Sequence, residues 1–156
     1  MEYYDQIYDL IKNNCFSDAK KMLDNHDLNS KIGIFQTLAF NEEDLSIILF
    51  LYYAFEKDEN IEWLITLHNV LCEAFCYLEG AYESALYIVR QLLKKDKNNI
   101  LFYEELFYLA IVPETKRLIG KQELIEAAKV VKVLDPYNKD MKMTLEERGI
   151  DLNDIK

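Results

Sequence analysis

The chain has 156 residues, 51% of them apolar and 29% charged, which suits one folded domain with its own core and excludes a disordered chain. Its net charge of −10 argues against nucleic acid as a direct ligand, because phosphate binding needs clustered Lys and Arg. Four Gly and two Pro leave too few turn signals for a β-meander, and Leu, Ile, Glu, Lys and Ala favour helix.

The N-terminal MEYYDQIYDL is acidic rather than apolar and does not read as a secretory signal. Residues 2–13 place Tyr3 or Tyr4, Ile7, Tyr8 and Ile11 on one side at helical spacing. Ser17 is placed to cap a second helix, with Ala19, Met22 and Leu23 inward, and Ser30 to start a third. Asn41 followed by Glu42, Glu43 and Asp44 reads as the next helix start, a cap and then carboxylates against the positive end of the helix dipole.

Two central helices follow. From Leu45 to Phe55 only Ser46 is plainly polar, and the run is too short to span a bilayer, so no membrane partner is expected. From about Asn60 to Leu78 one narrow polar stripe, Glu62, Thr66, Asn69 and Glu73, crosses an otherwise apolar surface. The later segments 80–96, 99–112 and 121–134 are amphipathic, and a short charged helix follows Asp135-Pro136 around 138–148. We therefore expect an all-α fold over 1–156, a single domain of about eight or nine helices stacked as antiparallel hairpins.

The segments 14–25 and 80–93 share a turn, an aromatic residue, two further residues, an Ala and an apolar ladder. Each resembles the second half of a tetratricopeptide unit, and VLDPYN at 133–138 resembles the end of one. That likeness implies α-solenoid stacking. Glu73 stands where a small residue is expected, and the three matches are unevenly spaced.

Chemistry finds little support. His68, Cys72 and Cys76 lie at i, i+4 and i+8, but a helix rises ~12 Å over that span, too far for one ion to bind all three. No G-x-S-x-G elbow, Gly-rich phosphate loop or H-E-x-x-H is present. We expect no catalytic residue, metal or cofactor. Three Cys, an odd number without framework spacing, suggest reduced thiols and a cytoplasmic protein.

Charge is uneven: residues 1–62 hold 13 acids and five bases, residues 63–156 hold 15 and 13. Asp58, Glu59 and Glu62 crowd a helix start beside Tyr52 and Trp63, and Glu42, Glu43 and Asp44 form a second cluster. Helix-dipole compensation explains part of each. The other reading is a surface for a basic protein, in which acids steer the encounter and rings supply contact area.

The segment Ala54-Phe55-Glu56-Lys57-Asp58, then Glu62-Trp63 and Leu67-His68, resembles a motif of small all-helical bacterial immunity proteins, the immunity protein 30 group. The likeness covers about residues 45–112. It implies a non-enzymatic inhibitor that binds a toxin domain of polymorphic or contact-dependent systems and blocks it. The alternative is a helical-repeat adaptor that holds a peptide or a subunit.

Overall fold

The computed structural model describes residues 2–151 and 155, and there the apolar periodicity becomes nine α-helices, with no strand among the described residues. They are α1 (Glu2–Lys12), α2 (Phe16–Leu23), α3 (Leu28–Glu42), α4 (Ser46–Asp58), α5 (Ile61–Glu73), α6 (Ala81–Lys95), α7 (Ile100–Leu109), α8 (Lys121–Leu134) and α9 (Lys139–Glu147). None is long and apolar enough to cross a membrane. The helices group into two compact units, residues 1–81 and 82–156.

In the first unit, α3, α4 and α5 pack on one another, and α1 and α2 pack against α4. Phe35 and Phe50 stack with centroids 5.5 Å apart, and Phe50 meets Trp63 edge-on at 6.1 Å. Ile7, Ile11, Ala19, Leu23, Ile47 and Leu51 complete a core closed to solvent. Ala19 is buried where α2 packs. Tyr3 and Tyr4 are each 36% exposed, so the inward face of α1 rests on Ile7 and Ile11 instead. The Tyr3 hydroxyl donates to the Met22 carbonyl at 3.2 Å and also lies 3.1 Å from His26 Nε2.

Several helix starts differ from those read in the sequence. Asp27, not Ser30, caps α3: its Oδ1 accepts the Ser30 amide at 2.8 Å. Cys15 precedes α2 and Ser17 lies inside it, so that end has no side-chain cap. Asn41 and Glu42 close α3 rather than opening α4. The helix continues through them because nothing there forbids it, and it ends at Glu43, whose φ of 49° turns the chain. Asp44 then accepts the Ser46 amide at 2.8 Å and the Tyr8 hydroxyl at 3.0 Å. Asn60 caps α5, its Oδ1 accepting the Glu62 amide at 3.0 Å, and α5 ends at Glu73, short of the expected Leu78.

In the second unit, α7 packs on α8 and α9. Phe102, Leu106, Phe107, Leu124, Ala128, Val131 and Leu145 are buried. Two arginines hold the irregular segment after α7. Arg148 donates to the carbonyls of Ala110, Lys116 and Ile119 at 2.7–2.9 Å. Arg90 forks onto both Glu123 oxygens at 2.8 and 2.9 Å and reaches the Leu118 carbonyl.

Candidate functional site

The charge divides sharply at the boundary between the units. Residues 1–81 carry 15 acids and five lysines, a net of −10, whereas residues 82–156 carry 13 acids and 13 bases, a net of zero. All five lysines of the first unit engage partners inside it. Lys31 Nζ sits 2.6 Å from Glu62 Oε2, and Lys20 Nζ lies 2.6 Å from both Asp24 and Asp58. Lys21 pairs with Asp18 at 2.9 Å, while Lys12 and Lys57 lie over the rings of Tyr8 and Tyr53.

These pairings redistribute the residues that the sequence brought together. Trp63 is only 1% exposed; its ring is an interior strut and offers no surface to a partner in this conformation. Lys31 Nζ lies 4.6 Å from its centroid and Lys20 Nζ 5.8 Å, and its indole N–H donates to Asp58 Oδ2 at 3.4 Å. Lys31 is itself 2% exposed. Asp58 therefore faces inward as much as outward. Burial opposes its ionisation, yet bonds from Lys20, the Asn60 amide and Trp63 outweigh it and hold the carboxyl below its usual range. Glu62 is committed to Lys31. Glu59 caps α4 with a φ of 54° and is exposed. The polar stripe on α5 runs from buried to exposed: Thr66 is fully buried and donates back to the Glu62 carbonyl at 2.8 Å, Glu62 and Asn69 are half-buried, and Glu73 is exposed.

The second acidic cluster divides as well. Asp44 is absorbed by Tyr8 and the Ser46 amide, and the amide is the main reason that its carboxyl is held low. Burial, then the Asp44 hydrogen bond, push the Tyr8 hydroxyl up to about 12. Glu42 and Glu43 stay exposed, and so does Glu56; no described residue gives these three carboxylates an ion pair or hydrogen bond.

No family model, known protein or solved structure matches this chain.

Of the outer face of α4 the sequence singled out Tyr52 alone. Leu45 is 53% exposed, Leu49 63% and Tyr52 44%, at helical spacing along one line that continues to Glu56. Ile47, Phe50, Leu51 and Ala54 fill the opposite side of the helix. An almost wholly apolar α4 hid this face, because periodicity cannot tell a buried side from an exposed one when both are apolar.

His68 Nε2 lies 3.6 Å from Cys72 Sγ. Burial lowers the His68 pKa to about 4, so the imidazole stays neutral at physiological pH. That disfavours the imidazolium an activated thiolate would need beside it. Cys76 is exposed beyond the end of α5. Among the described residues no three His, Cys, Asp or Glu side chains gather as metal ligands.

In the second unit a groove of about 390 Å³ runs beside α6, α7 and α8, lined by Tyr87, Lys94, Tyr103, Glu126 and Val130 among others. It is mostly apolar at its base, with Leu106 and Ala127 buried there.

Proposed function

We infer that the chain is a non-enzymatic, immunity-type inhibitor that captures a basic protein, such as a toxin domain with nuclease activity, and blocks it. One observation carries this reading: the whole net charge of −10 lies in residues 1–81, where every lysine is spent on an internal contact. Acids left without counter-charge create a long-range field that draws in a positive partner and speeds association. The resemblance of Ala54–Asp58, Glu62-Trp63 and Leu67-His68 to immunity protein 30 points the same way. In this reading Glu42, Glu43 and Glu56 supply complementary charge, while Asp58, Glu62 and Trp63 serve by holding α4 and α5 in place.

The test is capture at low salt with the full chain, followed by assay of the captured protein's own activity. The reading requires a folded basic domain whose activity falls on binding. A ligand that is strongly anionic would refute it.

The groove of the second unit favours a second reading, a helical-repeat adaptor. An adaptor would bind a short linear segment there, and a synthetic peptide would compete with the intact partner. An inhibitor of the first kind would need the folded domain and would be insensitive to such a peptide.

A further inference from the structure

We propose that the outer face of α4, the line Leu45–Leu49–Tyr52, is the anchoring contact of the first unit, and that it seats an apolar patch ringed by Lys or Arg on a partner protein. This rests on the basic-partner reading above and adds the place and the chemistry of the contact.

Three observations converge on it. The first is unusual exposure. Leu45, Leu49 and Tyr52 follow one another at four and three residues, so they line one side of the helix over about 10 Å. Ile48 and Phe55 flank the line half-buried, and the Tyr52 and Phe55 rings meet edge-on with centroids 6.5 Å apart. Water contact with so many apolar side chains on one helix is unfavourable, and such a continuous face commonly marks an interaction surface.

The second is how the line ends. Glu56 follows Tyr52 by one further turn, and Glu43 precedes Leu45 by two residues. Tyr77, 60% exposed, is a further aromatic residue at the surface of this unit. An apolar centre with a charged rim is the anatomy of a protein interface, with anchors in the middle and polar residues around them.

The third selects the partner. The rim is acidic, and neither Glu43 nor Glu56 is compensated by a described residue. An acidic partner would meet repulsion at both ends of the line, and so would a second copy of this chain brought in with the same face. A neutral apolar partner would leave the rim carboxylates to lose water without return. A basic rim on the partner removes that cost and adds charge-assisted hydrogen bonds.

The experiment is a nuclear magnetic resonance titration of the full chain with three probes. These are an amphipathic helical peptide of Leu and Lys, its Leu and Glu counterpart, and oligolysine. The Leu/Lys peptide should shift the signals of Leu45, Leu49 and Tyr52, and the Leu/Glu peptide should leave them in place. Oligolysine should bind more weakly and move chiefly the signals around the rim. The double variant Leu49→Gln with Tyr52→Gln should weaken the Leu/Lys peptide at least about tenfold, with the helical circular dichroism unchanged. Tyr52→Gln alone, the milder change, should weaken it in the same direction.

Binding of the Leu/Lys peptide elsewhere, untouched by either variant, would overturn the α4 assignment and leave the basic-partner reading standing. Failure of both cationic probes to bind would overturn both. Concentration-dependent dimerisation that protects the same signals would give the face to a second copy and overturn the proposal.

Discussion

Lys31 lies with its Nζ 4.6 Å above the centre of the Trp63 ring and 2.6 Å from Glu62, in a position where the lysine is 2% exposed. A cation this deep needs both partners. The ring face supplies its quadrupole, and the carboxylate supplies the opposite charge. The carboxylate end is the more open one, with the Glu62 side chain 35% exposed.

That asymmetry predicts unequal costs. Glu62→Gln leaves a buried ammonium without a counter-charge and should cost about 2 kcal/mol, below the usual figure for a buried pair because Glu62 is partly solvated. Lys31→Met leaves a carboxylate that water can reach and should cost about 1 kcal/mol or less. The double variant should recover part of the loss. Urea unfolding of the four proteins measures each cost and the coupling between them.

Charge reversal separates structural acids from surface acids. Asp58→Lys with Glu62→Lys sets a positive charge against Lys20 and Lys31, and should lower stability by on the order of 2 kcal/mol. Reversal of Glu42, Glu43 and Glu56 touches no internal pair and should change stability by less than about 0.5 kcal/mol. Thermal unfolding of the two variants distinguishes them. Loss of binding in the first set would report damage to the fold, whereas loss in the second would report the interface.

His68 predicts a pH dependence. Its pKa is about 4 in the folded chain against an ordinary 6.5, so the unfolded chain takes up the proton first as pH falls. The stability from keeping this imidazole neutral is complete above about pH 6.5 and drains away between there and pH 4. The whole effect is on the order of 3 kcal/mol. Asp27, Asp44 and Asp58 are held low by their hydrogen bonds, so their contributions are lost at lower pH, as it falls through their folded values. His68→Leu should flatten the curve between pH 6.5 and 4 and leave the acid limb below it. Denaturant midpoints across this range check the assignment.

Arg148 predicts a local effect in the second unit. Its guanidinium collects three carbonyls across residues 110–119, a segment without regular helix. Arg148→Met keeps the stem and strands those carbonyls, and should cost about 2 kcal/mol. Amide exchange should speed up in residues 110–120 while α1 to α5 remain unchanged.

The helices were readable because their apolar positions recur at 3.6-residue spacing, and because Asn60 and Asn138 stand as plain caps before α5 and α9. The start of α4 was not. Asn41-Glu42-Glu43-Asp44 contains two good cap residues, Asn41 and Asp44, and local preference alone cannot decide which of them precedes the new helix. At the candidate site, the acids were visible but their commitments were not. Lys20 and Lys31 are 38 and 31 residues away from Asp58 and Glu62, and only folding brings them together. The likeness around Trp63 drew attention to a ring that the core uses, while the exposed side of α4, Tyr52 apart, stayed concealed in an apolar run.

The most direct test of the account is the rate of association between the full chain and the proposed basic partner, followed by stopped flow from low to high salt. The account predicts a rate that falls steeply as salt screens the first unit, and a low-salt rate cut at least about tenfold by neutralising Glu42, Glu43 and Glu56. A rate that ignores both salt and those three substitutions would contradict it.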